Sequence, residues 1–196
     1  MTFTTSADSL VITLVDLQAN PTDVAQLLSD LSFTLSDGSL TGSTLSSSSG
    51  QEITVNGNGT LSLGSTVPTG WVYSFTGSTS GLLDVLAGGG AGPSHLIIGP
   101  PGPGPNYSNA KGSIAGNGPH NPFLNQTATF TITGAGITAD TTVTAATFSF
   151  GTTDGALLVP GVPAPTPEPR TTGIIVSTIG LIGLLQYRRK MAQSAV

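Results

Sequence analysis

Apolar and polar residues alternate with period two over much of the first 150 positions, the spacing of strands that bury one face. Residues 9–17, SLVITLVDL, are rich in β-branched and apolar residues, and Asn20-Pro21 closes the run. Met1 to Val15 reads as strand throughout. Residues 24–28 predict a short helical turn. Leu31, Phe33 and Leu35 alternate with Ser32, Thr34 and Ser36. Asp37-Gly38, a common two-residue hairpin signal, predicts that Leu40 to Leu45 return against them. Ile53 and Val55, the turn Asn56-Gly57-Asn58-Gly59, then Leu61 and Leu63 predict a second hairpin. Trp71, Tyr73 and Phe75 place three aromatics on one face of a further strand. Ala128, Phe130 and Ile132 alternate with Thr127, Thr129, Thr131 and Thr133. The last strand, Val143 to Phe150, changes phase at Ala145-Ala146, which predicts a β-bulge. Eight or nine such strands without a long helical pattern predict a mainly β chain, an antiparallel β-sandwich.

Gly88 to Pro122 breaks the alternation. The runs GGGAGP, GPPGPGP and NGPHNP cannot sustain ladder hydrogen bonds. His95–Ile98 is the one short strand expected within this segment, and a loop of this length reads as mobile.

Composition narrows the function classes. Only 8% of the 196 residues are charged, against about 25% in an ordinary soluble domain. Residues 1–166 carry a single basic residue, Lys111, against nine acids, a net −8. One lysine cannot neutralise a run of phosphates, so nucleic-acid binding is excluded. The chain has no Cys, which removes disulfides, thiolate catalysis and Cys-ligated metals.

The C-terminal part differs from what precedes it. The expected organisation is a β-sandwich ectodomain over 1–157, a proline-rich linker over 158–169 and a transmembrane segment with a basic tail over 170–196. Pro160, Pro163, Pro165, Pro167 and Pro169 make the linker stiff and extended. Gly173 to Leu185 carries no charge, and Thr171 to Tyr187 extends the run to seventeen residues. As a helix it is about 25 Å long, near the lower limit for crossing a bilayer. Arg188, Arg189 and Lys190 follow at once and would stay on the cytoplasmic side, leaving residues 1–166 outside. A buried hydrophobic helix is the competing reading of the run.

Pro167-Glu168-Pro169, a short apolar stretch and Arg188-Arg189-Lys190, in that order, resemble the PEP-CTERM sorting signal of exported bacterial surface proteins. The resemblance covers Pro165 to the end. It implies that Pro167, Glu168 and Pro169 are the recognition motif of an integral-membrane exosortase with a Cys nucleophile. It also implies that the span is a transient membrane anchor and the basic cluster a stop. Arg170 directly follows the motif, where small or polar residues are more usual. Export requires a signal peptide, and Met1 to Val15 has neither a basic region nor an unbroken apolar one. Either the true start lies upstream of Met1 or the protein stays inside, and the C-terminal signal favours the first.

Candidate chemistry in the body is sparse. His95 and His120 are the only histidines. A triad with Asp84 or Asp140 is arithmetically available, but no G-x-S-x-G elbow accompanies it. No calcium-loop motif or transition-metal ligand set is recognisable, and no cofactor is implied. Asp16, Asp23, Asp30 and Asp37 recur every seven residues, but Pro21 forbids one helix through them. Three sequons, at Asn58, Asn106 and Asn125, carry no meaning in a bacterial chain. Trp71 and Tyr73 are the one candidate platform for stacking a sugar ring, and strand aromatics of this kind are also ordinary core. The expected function is a non-enzymatic surface or extracellular-matrix component, with exosortase, the membrane and exopolysaccharide as partners. The alternative is an extracellular carbohydrate-binding module, which needs Trp71 and Tyr73 exposed. A hydrolase comes third and needs both histidines beside carboxylates in one pocket.

Overall fold

A computed structural model describes residues 1–87 and 90–162 of the chain. They form eleven strands and one 3₁₀ turn, with no α-helix among the described residues. The strands are β1 (Thr2–Ser6), β2 (Ser9–Val15), β3 (Leu28–Leu35), β4 (Thr44–Val55), β5 (Leu61–Val67) and β6 (Val72–Phe75). β7 (Ser80–Asp84), β8 (Ile97–Ile98), β9 (Phe123–Thr133), β10 (Val143–Phe150) and β11 (Val159–Pro160) complete the set. The chain is mainly β, as its alternation predicts.

Pairing follows from which strands carry a continuous apolar face. β2, β9 and β4 bury Leu10, Ile12, Leu14, Phe130, Ile132 and Ile53 at no more than 1% exposure, and they lie side by side. β1 and β5 flank them, giving an antiparallel ribbon β1-β2-β9-β4-β5. A second antiparallel ribbon runs β11-β10-β3-β7-β6. β8 joins the two, pairing parallel with β9 (Ile97↔Leu124) and antiparallel with β3 (Leu28↔Ile97). The result is one curled sheet whose two ends approach each other. Phe3 of β1 meets Phe33 of β3 at 6.0 Å between ring centroids, and Trp71 meets Phe130 of β9 at 5.2 Å. Full burial of Phe33 and Phe130 contributes about 1.5–3 kcal/mol each.

The structure corrects several expectations. The pairing is not antiparallel throughout, because β8 runs parallel to β9. Asp37-Gly38 does not close a hairpin of β3 onto Leu40–Leu45. Both edges of β3 are taken by β7 and β10, and β4 pairs with β5 and β9. Gly38 instead adopts φ +82°, and a Cβ there would lie 2.7 Å from the Gly136 carbonyl oxygen, so this turn packs on a distant loop. The second expected hairpin does form, with Ile53↔Leu63 and Val55↔Leu61. The bulge in β10 falls between Val143 and Ala145, just before the predicted phase change. The turn at Val24–Gln26 is closed by a capping box: the Asp23 carboxylate accepts from the Ala25 amide, and Gln26 reaches back to the Asp23 amide.

The Gly/Pro-rich segment is packed into the body where mobility was expected. Leu96, Ile97, Ile98, Tyr107 and Ile114 are all buried. The Tyr107 hydroxyl donates to the Gly99 carbonyl at 2.8 Å. Apolar residues spaced among the glycines and prolines anchor it, with the two-residue β8 as its strand in the sheet. At the far end, β11 pairs Val159 and Pro160 with β10, and the compact unit runs Met1–Gly161. Proline is tolerated there because β11 is an edge strand.

Candidate functional site

The densest polar constellation centres on His95, where the Gly/Pro-rich segment meets β4. Both ladders of β4 shift register around Glu52, between Gln51 and Ile53 toward β5 and between Gly50 and Glu52 toward β9. This double irregularity re-aims the Glu52 side chain. Its Oε1 lies 3.0 Å from His95 Nε2, and His95 Nδ1 lies 2.8 Å from the Thr69 carbonyl oxygen. A carbonyl only accepts, so Nδ1 carries a hydrogen. Nε2 is then joined to the carboxyl group by a shared proton. His95 sits at φ +60°. Its amide donates to Pro122 O at 2.8 Å, and its carbonyl accepts the Trp71 indole N–H at 3.0 Å. Every polar group of His95 is thus engaged, which ties the segment to the sheet and leaves no ring nitrogen free to act as a base.

His120 occupies a different environment. Its Nδ1 lies 2.6 Å from Ser113 O, and it lines an open pocket of about 460 Å³ with Thr152, Asp154 and Pro93. His95 is therefore held by Glu52 rather than by Asp84 or Asp140. The arrangement required for a hydrolase, both histidines with carboxylates in one pocket, is not formed among the described residues.

Trp71 and Tyr73 do not make the expected platform. Trp71 is 4% exposed, its ring tilted 51° against Phe130 and its N–H spent on the His95 carbonyl. Tyr73 is half-buried, with its hydroxyl 2.7 Å from Ser43 Oγ, and burial raises its pKa. The residue of the trio that reaches solvent is Phe75, 47% exposed. Packing claims the aromatics nearest the core first: Trp71 offers no ring face to a ligand, and Tyr73 is half-buried against the core.

Three buried acids lie at the joints of the sheet; the sequence marks Asp84 only as an available triad partner, and Asp16 and Asp30 only as members of a seven-residue recurrence. Asp30 and Asp84 face each other across the β3–β7 ladder, at 4% and 2% exposure. Burial raises both pKa values, the negative charge of Asp154 adds to each, and the Ser149 hydroxyl offsets part of the effect at Asp30. Asp16 ends β2 at 5% exposure. Its Oδ1 accepts from the Gln18 amide at 2.9 Å, while Oδ2 has no hydrogen-bond partner. Burial pushes its pKa up to about 6; the amides of Gln18, Gly99 and Leu28 face the carboxyl and moderate that rise. The same burial, with the Asp16 charge nearby, moves the Tyr107 hydroxyl up to about 12. Beside Asp16 an apolar pocket of about 400 Å³ opens between the sheet ends, lined by Met1, Leu28, Phe148, Phe150 and Val159.

The sorting motif Pro167, Glu168 and Pro169 and the cluster Arg188, Arg189 and Lys190 lie outside the described residues, as does the expected transmembrane segment. Among the described residues no helix is long and apolar enough to cross a membrane. No protein-family model matches the chain, and no curated protein or solved structure matches it either.

Proposed function

We propose that this chain is an exported bacterial surface or extracellular-matrix protein of non-enzymatic role, delivered by a PEP-CTERM signal. The observation that carries the reading is the order of three parts: Pro167-Glu168-Pro169, the uncharged run Gly173 to Leu185, and Arg188-Arg189-Lys190. In this reading the two antiparallel ribbons pack as a β-sandwich ectodomain with β8 as the seam between them. The run after the linker is a single transmembrane helix with the basic cluster inside. That orientation presents the motif at the outer membrane face, within reach of a membrane-embedded exosortase. The body supports the reading in two ways. Its compact unit runs Met1–Gly161 and so ends before the motif, and among the described residues both ring nitrogens of His95 are taken up by internal hydrogen bonds to Thr69 and Glu52.

The test is expression behind a Sec signal peptide in a host carrying a cognate exosortase. Glu168→Ala is expected to leave an uncut, membrane-retained protein, whereas Lys111→Ala changes nothing. Equal release of the wild type and Glu168→Ala would sink the assignment.

A further inference from the structure

The outer face of the ribbon β1-β2-β9-β4 is a grid of hydroxyl groups. Strand register aligns Ser6, Ser9, Thr133 and Thr44 in one row. Thr4, Val11, Thr131 and Ser47 form the next, and Thr2, Thr13, Thr129 and Ser49 the third. Eleven of these twelve positions are Ser or Thr, none is charged, and none is buried. Among the described residues none of the eleven hydroxyls makes an intramolecular hydrogen bond. Hydroxyls elsewhere on the sheet do so, such as Thr34 with Ser80 at 3.3 Å and Thr144 with the Thr34 carbonyl at 3.2 Å. The opposite face of the same strands carries the core residues Leu10, Ile12, Phe130 and Ile132.

We infer that this face binds an uncharged polysaccharide laid across β1, β2, β9 and β4. Charge selects the partner. The body is acidic with one lysine, so polyanions are repelled, and a grid without carboxylates has nothing to hold a polycation. A hydroxyl both donates and accepts, which matches the hydroxyls of a neutral sugar whatever their orientation. Threonine methyls and Val11 give the C–H faces of the rings something apolar to lie on. Neighbouring grid positions are ~4.8 Å apart between strands and ~6.7 Å apart along them. Adjacent strands also twist by about 20–25°, which a flexible chain follows and a rigid crystal lattice does not. The grid holds no aromatic ring, so single contacts are weak and binding comes from repetition along the polymer. The inference rests on the surface reading and gives its polysaccharide partner a charge class and a binding face. It is tested on purified protein, so its failure is distinct from a failure of sorting.

The experiment is native gel electrophoresis of the full chain in mild detergent through gels containing hydroxyethyl cellulose, dextran or galactomannan. Retardation by at least one of them, unchanged by added salt, is expected. Combining Thr129→Val, Thr131→Val and Thr133→Val keeps volume and strand propensity while removing three hydroxyls, and should weaken retardation about tenfold. Its urea midpoint verifies the fold, and Thr153→Val, exposed and off the grid, should behave as wild type. No retardation by any of the three glycans overturns the inference, as does equal retardation of the triple variant. Retardation only by a charged polymer and abolished by salt also overturns it. So does inhibition of ice growth without glycan binding, which would assign the face to a water lattice.

Discussion

Raising the pH through the mildly acidic range should destabilise this fold, and Asp16 is the main reason. Its carboxyl is buried at the end of β2 with Oδ2 unpartnered, and its pKa stands at about 6 in the folded chain against an ordinary 3.8. Between those values the folded protein keeps a proton that the unfolded chain has released. Stability is therefore greatest below the unfolded value and is lost as pH rises through about 6. At 1.36 kcal/mol per pH unit, the full shift amounts to about 3 kcal/mol, of which about 2.5 kcal/mol falls between pH 4 and pH 7 because the unfolded carboxyl is already more than half ionised at pH 4. Asp30 and Asp84, also raised by burial, act with the same sign. Trp71 is the only tryptophan and is buried, so its fluorescence reports urea unfolding directly. Wild type should lose stability from pH 4 to pH 7, and Asp16→Asn should reduce that loss by about 2.5 kcal/mol. The comparison is of slopes, because the asparagine amide would face the Gly99 and Leu28 amides and shift the absolute value at every pH. Overall charge repulsion changes alike in both proteins and cancels. An Asp16→Asn slope equal to that of wild type would refute the assignment of the effect to this carboxyl.

Other expectations follow from packing and hydrogen bonding. Phe130→Ala, at a fully buried position against Trp71, should cost about 3–5 kcal/mol in urea unfolding. A cost under 1 kcal/mol would mean the two ribbons do not close on this ring. Trp71→Phe leaves the His95 carbonyl without its donor and should cost about 1–3 kcal/mol, followed by far-ultraviolet circular dichroism, while leaving polysaccharide retardation intact. Residues 1–166 expressed alone should fold and stay soluble with a sharp unfolding transition. An aggregated or molten product would show that the apolar run completes the core.

The periodicity of Leu31–Leu35, Ile53–Leu63 and Ala128–Ile132 was enough to read the strands and their buried faces, because burial of one face imposes alternation whatever the partner. Partner choice was not legible. Asp37-Gly38 carries a local hairpin preference, but β3 gains more by pairing on both edges with β7 and β10, contacts that no local signal encodes. The anchoring of residues 90–122 was hidden because Leu96, Ile98, Tyr107 and Ile114 follow no periodic spacing. The outward threonines of β9 were visible as an alternation. The grid they belong to depends on registers with β2 and β4 and appears only in three dimensions. His95 stood out as one of two histidines, yet its partner Glu52 lies forty-three residues away and is aimed by bulges the sequence did not announce.

The most direct test of the central claim is the intact mass of wild-type protein recovered from the surface of a host with a cognate exosortase. A mature chain that lacks Gly173–Leu185 and Arg188-Arg189-Lys190, ending near Pro167-Glu168-Pro169, is expected. Released wild-type protein with intact C-terminal peptides through Val196 would contradict it.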